Sequence, residues 1–576
     1  MKYLAPVLVA FLFQSLAEAQ PDTDSFTSLF GDSVFVFDES MKTQEVQAAL
    51  DWVHDQQAGQ QFSDRRYALL FKPGTYNLDI TADYYVQALG LGLSPDDVVV
   101  HGSVKSDWSR SDNKVTTQFW RGAENFKVYP NSAEDWMLWA VSQAAPMRRM
   151  HVVGNLKFDK GSWASGGVLA NSIVTGRAGL TSGQQWFTRN SEIGFWEGGN
   201  WNRVFVGVKG APQANWPDVP VTIIETAPVI RDKPFLFHEE TSGFAVFVPA
   251  IQYESSGVTW KNGDEAGKVV PLDDFYIVKP SDTVTKINNE LEAGKHLLIT
   301  PGIYKLATAI KIDRPKTIVL GLGLPTLIST SGNAVLKTSD VDGIVIAGIM
   351  VDAGPDFSDV LVQIGERGSG RNHSDNPTSL HDFYCRVGGF IEGTAGTCLE
   401  INSSHVIGDH FWLWRADHGA GADWAINKSD HGLIVNGDDV TIYGLFNEHF
   451  QHYQTLWKGE RGRTYFYQSE IPYQPPSNEV WNDNGKAGYA SYKVADHVNA
   501  HQAWGLGIYS FFRGEETIRN NVRIESAMEA PEKKGIRVTH IVIFAGLNGG
   551  FNHVFNGKGP AANPGELKLF DGFNNH

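Results

Sequence analysis

The chain has 576 residues, enough for two or three domains with sizeable cores. Its 65 acidic residues against 48 basic ones leave a net charge of −17, which argues against nucleic acid or an anionic membrane as partner. After the signal-like start no later stretch is apolar for long enough to span a bilayer, so no membrane span is expected.

Residues 1–19, MKYLAPVLVAFLFQSLAEA, have the layout of a secretory signal. Lys2 gives the positive end, Tyr3 to Leu16 an apolar run, and Ala-Glu-Ala a small-residue cleavage site. A secreted, extracellular protein is expected. In such a chain the two cysteines, Cys385 and Cys398, predict a short-loop disulfide rather than a zinc site. Asn372-His-Ser, Asn402-Ser-Ser and Asn427-Lys-Ser fit the N-glycosylation sequon.

A recurring pattern begins at Val34. VFVFDESMKTQEVQAALDWV (Val34–Val53) predicts a strand, a polar turn and an amphipathic helix, leading into RRYALLFKPGTYNL (Arg65–Leu78). FYIVKPSDTVTKINNELEAGKHLLITPGIYKL (Phe275–Leu306) repeats that grammar, with Pro73-Gly74-Thr75-Tyr76 matching Pro301-Gly302-Ile303-Tyr304. Between and after these openings lie short β-rich runs broken by Gly, Asn and Asp, such as VVVHGSV (Val98–Val104) and NRVFVGVKG (Asn202–Gly210). Such runs suit a sandwich or a β-helix, and the two helix-plus-PGxY openings favour the helix. The expected fold is all-β: two tandem right-handed parallel β-helix domains, each with an N-terminal capping helix. The boundaries are drawn at 20–245 and 271–576, with 246–270 as the crossover. GERGSGRNHSDNP (Gly365 to Pro377) is expected to be an exposed loop.

One coil of a β-helix takes roughly 20–25 residues, so positions that far apart stack at about 4.8 Å. Glu448 and Glu470 lie one such interval apart in YGLFNEHFQHYQTLWKGERGRTYFYQSEIPYQPP (Tyr443 to Pro476). Two carboxyls held that close cannot both ionise easily, and a carboxyl kept protonated near neutral pH suits a general acid. The plainer reading is two ordinary coil-corner glutamates. Tyr453, Gln468, Tyr473 and His449 are nearby groups able to hold sugar hydroxyls, or else members of a coil ladder. Seventeen Trp, 18 Tyr and 33 Phe serve sugar rings or a large β core equally well.

Gln143 and Ser165 have the same spacing as the two glutamates and could position a water. Asp417, followed about one coil later by Asp438 and Asp439, resembles the polygalacturonase type of β-helix hydrolase. The alternative that this trio supports is a polysaccharide lyase or polygalacturonase-like enzyme, and the plainer reading is aspartates satisfying turn N–H groups. A non-catalytic glycan-binding β-helix is the third possibility. No HExxH, Gly-x-Ser-x-Gly or P-loop motif occurs, and neither a cofactor nor a metal is expected. His449 and His452 are expected to pack near the site rather than bind metal.

Six stretches in the same order resemble glycoside hydrolase family 55, the exo-β-1,3-glucanases built from two β-helical domains. They are WAVSQAAPMRRM (Trp139–Met150), SGGVLANS, GQQWFTRN (Gly183–Asn190), NEHFQHYQ, YQSEIPYQPP (Tyr467–Pro476) and GLGIYSFF (Gly505–Phe512). The resemblance is to a divergent member or a sister family. The usual Asp-Gly-x-Thr-Asp-Asp-Thr segment is missing, and QSEIPY has Ser and Ile where the family has Thr residues. The resemblance implies an inverting exo-hydrolase with its site in the cleft between domains; the expected substrate is a β-glucan, β-1,3-linked, as polysaccharide or oligosaccharide, and a monomer is expected. Glu470 would match the general acid and Glu448 the second acidic residue. Gln143 and Ser165 would match the groups that hold the attacking water. Gln185 and Tyr509 fall in matching segments and join His449, Tyr453, Gln468 and Tyr473 as expected sugar-binding residues.

Overall fold

The computed structural model describes residues 27–106, 115–132, 135–159, 161, 163–199, 201–263 and 265–574. The signal-like residues 1–19 lie outside them.

Apolar residues in short strands set the architecture. Val34–Phe37 (β1) pairs in parallel with Tyr67–Phe71 (β2), and helix α1 (Thr43–Gln57) makes the connection. A parallel pair needs such a crossover because both strands run the same way. Val46, Ala49, Leu50 and Val53 of α1 recur at helical spacing and are buried against Phe35, Leu69 and Phe71. The same sheet continues through Pro146–Val152 (β3), Val168–Ala170 (β4) and Gln185–Arg189 (β5), a 16-stranded stack among the described residues.

Antiparallel strands follow: Ala227–Arg231 pairs with Ile251–Ser255, and Gly243–Pro249 lies between Phe235–Glu239 and Gly267–Pro271. A second parallel stack then opens with Phe275–Val278 (β6) and His296–Ile299 (β7), joined through helix α2 (Val284–Glu292). It forms a 13-stranded and a 9-stranded sheet around one shared apolar interior. Ile407–Arg415 (β8), Thr441–Glu448 (β9), Gly462–Glu470 (β10) and Ala500–Ser510 (β11) are consecutive rungs of the larger sheet. The chain is thus almost wholly β, with strands stacked as the coils of a parallel β-helix.

The two PGxY turns make the same contacts. The Tyr76 hydroxyl donates to Phe37 O at 3.3 Å and Lys72 O at 2.8 Å; the Tyr304 hydroxyl donates to Val278 O at 3.0 Å and Thr300 O at 2.8 Å. Each tyrosine ties the end of the first strand to the residue before the proline. A side chain at Gly302 would meet Pro280 Cγ at 2.4 Å, and one at Gly74 would meet Glu39 at 2.7 Å, so both turns require glycine.

Coil length is less regular than the sequence suggests. Val168 pairs with Pro146, and Arg463 with Thr441, both at the expected interval. Thr441 pairs with Ile407, and His501 with Gly462, and both of these coils are longer by about half or more. Loops inserted between rungs lengthen these coils without disturbing the ladder, because only the strand segments must pair.

Cys385 and Cys398 form a disulfide that joins the two sheets of the second stack within its apolar interior. Replacing both cysteines by alanine is expected to cost about 2–4 kcal/mol, most of it from the freer unfolded chain. A urea midpoint unchanged within error would show that packing alone sets this coil.

The stacks meet along an aromatic and charged seam. Phe187 of β5 stacks on Phe466 of β10 at 5.6 Å, and Trp120 meets Trp412 of β8 at 5.3 Å. Beside them, Arg148 of β3 donates to Asp382 at 2.7 Å and to Asp409 at 2.7 Å. Arg189 of β5 donates to both oxygens of Asp409 at 2.8 and 2.7 Å and pairs with Asp232 at 2.8 Å. Asp409 is fully buried. Burial opposes its ionisation, but the two guanidiniums outweigh burial and hold it well below the usual carboxylate range.

Candidate active site

A cleft of about 610 Å³ opens between the two stacks and is lined by both. Gln143, Ser165, Phe119 and Trp201 face it from the first; Glu448, Glu470, Asp417, Tyr473 and Tyr509 face it from the second.

The ladder register explains the meeting of the glutamates. Phe446 pairs with Gln468, and His449 N donates to Glu470 O at 2.8 Å, so Glu448 and Glu470 end neighbouring rungs. His449 takes φ 68°, turning the chain out of β9 directly after Glu448. Gln143 and Ser165 sit just before the paired Pro146 and Val168, at matching positions, and are likewise one rung apart. Ser165 N donates to Ser142 Oγ at 2.9 Å, which fixes that turn.

Glu448 is 2 % exposed. Gln143 Nε2 donates to its Oε1 at 2.8 Å across the seam, and Trp412 Nε1 donates to its Oε2 at 2.8 Å. Burial, and then the neighbouring Glu470 charge, push its pKa well above the usual range. Glu470 is partly exposed to the cleft. It accepts hydrogen bonds from the Tyr473 hydroxyl and from Gln468 Nε2. Burial raises its pKa to about 7; the Tyr473 hydrogen bond opposes the rise and the Asp417 charge adds to it. The two acids bind protons as a pair. Gln143 Oε1 is buried and has no hydrogen-bond partner among the described residues. It is an acceptor still to be used, at the wall of a polar cleft.

Gln185, Gln468 and Tyr453 do not reach the cleft wall, unlike the other expected sugar-binding residues. Gln185 is fully buried and works as a strut: its Nε2 donates to Ser165 O at 2.6 Å, and its Oε1 accepts the Tyr509 hydroxyl at 2.7 Å. Gln468 is fully buried behind Glu470. The Tyr453 hydroxyl donates to Asp483 at 2.7 Å, because Tyr453 follows the turn out of β9 toward the smaller sheet. His449 lines the cleft beside Tyr473, whereas His452 packs on Tyr489.

The aspartate trio of the lyase-like alternative is not assembled. Asp417 lines the cleft, held by His418 at 2.8 Å and Arg513 at 2.7 Å. Asp438 and Asp439 sit in the turn before β9 on Arg461, with Asp439 at 2.7 Å. The coil from β8 to β9 carries an inserted loop, so the shorter step from Asp417 to Asp438 and Asp439 does not bring them into one stack. Trp412 was not legible as a site residue for the same reason. It belongs to the rung before Glu448, but the inserted loop puts it well beyond one ordinary coil in sequence.

A family model described as the LAM55 pectate lyase-like domain matches residues 275–470. An exo-beta-1,3-glucanase from Streptomyces sp. (strain SirexAA-E / ActE) is 45% identical over 534 residues, covering 92% of this chain and 87% of that protein. The solved structure of sacteLam55A from Streptomyces sp. SirexAA-E superposes with a TM-score of 0.91 at 43% identity, covering 94% of this chain and 98% of that one. A variant of sacteLam55A in complex with glucose matches with a TM-score of 0.91 at 42% identity.

Proposed function

The chain belongs to glycoside hydrolase family 55, the exo-β-1,3-glucanases, and on that premise we propose that it is a secreted, inverting enzyme that releases glucose from the non-reducing end of a β-1,3-glucan. Glu470 is the general acid: of the two cleft-lining carboxyls it is the more exposed, and burial raises its pKa to about 7, so it retains a proton near neutrality. The singly protonated pair shares one negative charge between Glu448 and Glu470, and the N–H donors of Gln143 and Trp412 help to hold it. A water between Gln143 Oε1 and the Ser165 hydroxyl attacks the anomeric carbon while Glu470 protonates the leaving oxygen. Gln143 takes the water's proton at Oε1 and passes one from Nε2 to the acid pair at Glu448, so the pair stays singly protonated as Glu470 gives its proton to the leaving oxygen. The observation that carries the reading is that bond, which sets the unused Gln143 acceptor beside the acid pair.

The wider organisation follows the same reading. Residues 1–19 are the export signal, 20–245 and 271–576 are tandem right-handed β-helix domains, and 246–270 joins them. Helices α1 and α2 cap the two domains, which the matched tyrosine contacts of both openings support. The enzyme works as a monomer on a polysaccharide or oligosaccharide.

The test is incubation with β-1,3, β-1,6, mixed-linkage and α-linked glucans. Glucose released from the β-1,3 substrate alone, first appearing as the α-anomer by NMR, is the expected result. Unsaturated products, or the β-anomer first, would exclude the mechanism. The pH profile gives a second check. The acid must start protonated, so kcat/KM should hold below about pH 7 and fall as pH rises through Glu470's pKa of about 7. An alkaline limb that stays flat well above that value would mean that no such acid limits the reaction.

A further inference from the structure

Three sequons are present, and the fold treats them differently. Asn402 is 2 % exposed; its Nδ2 donates to Gly365 O at 3.0 Å and Glu400 Oε1 at 2.9 Å, and its Oδ1 accepts Asn436 Nδ2 at 2.7 Å. Asn427 is fully buried; its Nδ2 donates to Val387 O at 3.0 Å and Ala416 O at 2.8 Å. In both, each amide hydrogen serves a buried acceptor. A sugar on Nδ2 would remove one donor, strand a carbonyl or carboxylate and need room that is not there.

Asn372 is the opposite case. It is exposed within the loop 365–378, between Ser358–Ile364 and Ser379–Val387. Its Oδ1 accepts Ser374 N at 2.9 Å, and its Nδ2 has no hydrogen-bond partner among the described residues. The flanking residues are pinned. His373 bridges Asp340 at 2.7 Å and Asp342 at 2.5 Å, and Arg231 Nη2 donates to Asn376 Oδ1 at 2.7 Å. The nearby Asn376 is followed by Pro377, which bars it as an acceptor.

We propose that Asn372 alone of the three sequons carries an N-linked glycan in the folded protein when the chain passes through a glycosylating secretory pathway. Asn372 Nδ2 forms a bond to the anomeric carbon of an N-acetylglucosamine-ended oligosaccharide. That carbon's bond to phosphate breaks, the lipid-linked diphosphate donor leaves with the electron pair, and Nδ2 gives up a proton to the transferase. Chains modified at Asn402 or Asn427 cannot complete their buried hydrogen bonds and do not join the folded pool. The inference needs export, so export is supplied separately.

The full chain is expressed in yeast behind a host secretion signal, with a control sequon added after His576. The native protein is then purified and its glycopeptides mapped by mass spectrometry. Glycan on Asn372 and on the control, with Asn402 and Asn427 bare, is expected. Ser374→Ala should remove the Asn372 glycan while leaving kcat/KM within twofold, since neither Asn372 nor Ser374 lines the cleft. Occupied Asn402 or Asn427 in native protein, or bare Asn372 beside an occupied control, would overturn the assignment. Secretion failing with the chain's own leader would count against the export reading alone.

Discussion

Glu470→Gln is expected to lower kcat/KM on β-1,3-glucan by about 10²–10⁴-fold, the usual worth of general acid assistance. The amide keeps the size of the carboxyl and can still accept the Tyr473 hydroxyl, so the ladder from β10 to β11 should survive intact. A loss of activity with an unchanged thermal midpoint therefore reports chemistry and not folding. The variant should recover most of its rate on an aryl β-glucoside whose leaving group needs no proton, because only protonation has been removed. The alkaline limb of the pH profile should disappear with the acid that causes it. Activity within tenfold of the parent on the glucan would remove Glu470 from the mechanism and return the acid's role to Glu448.

Asp409→Ala should be the most destabilising single change on the seam, by about 3–5 kcal/mol. It leaves Arg148 and Arg189, both buried, facing each other without the carboxylate they share. The remaining acids, Asp382 and Asp232, each already hold one of the guanidiniums. A shift of the urea midpoint equivalent to less than about 1 kcal/mol would mean that water or another acid replaces Asp409. The pH dependence has a definite sign. The folded-state pKa of Asp409 lies below an unfolded value of about 3.9, so its contribution is complete at neutral pH and fades as pH falls below about 4. The variant should lack that part of the acid sensitivity.

Much of the fold could be read from short patterns because each encodes a local necessity. Pro73-Gly74-Thr75-Tyr76 and Pro301-Gly302-Ile303-Tyr304 revealed the repeated opening, since both turns need a glycine without side-chain room and a tyrosine to tie two carbonyls. Glu448 with Glu470, and Gln143 with Ser165, were legible because both of their coils happen to be of ordinary length, free of inserted loops. Trp412 was hidden by the loop inserted between β8 and β9, and the same insertion made Asp417 and Asp439 look like partners. Tyr509 pairs with Glu470 across a still longer insertion, beyond any spacing rule, and came only from the family resemblance. Gln185, expected to bind sugar, instead supports Ser165 and Tyr509 from behind the cleft wall, a distinction that needs side-chain directions. The seam pairs, such as Arg148 with Asp409, join distant parts of the chain and leave no local trace.

The contact of Gln143 with Glu448 joins the two stacks across more than half of the sequence. On the proposed mechanism neither half of the chain owns a whole reaction centre: one brings the acids, the other the grip on the nucleophile. The precision of that chemistry would be borrowed from how firmly the halves are held together, and buried ions on adjoining rungs become guardians of a distance they never touch.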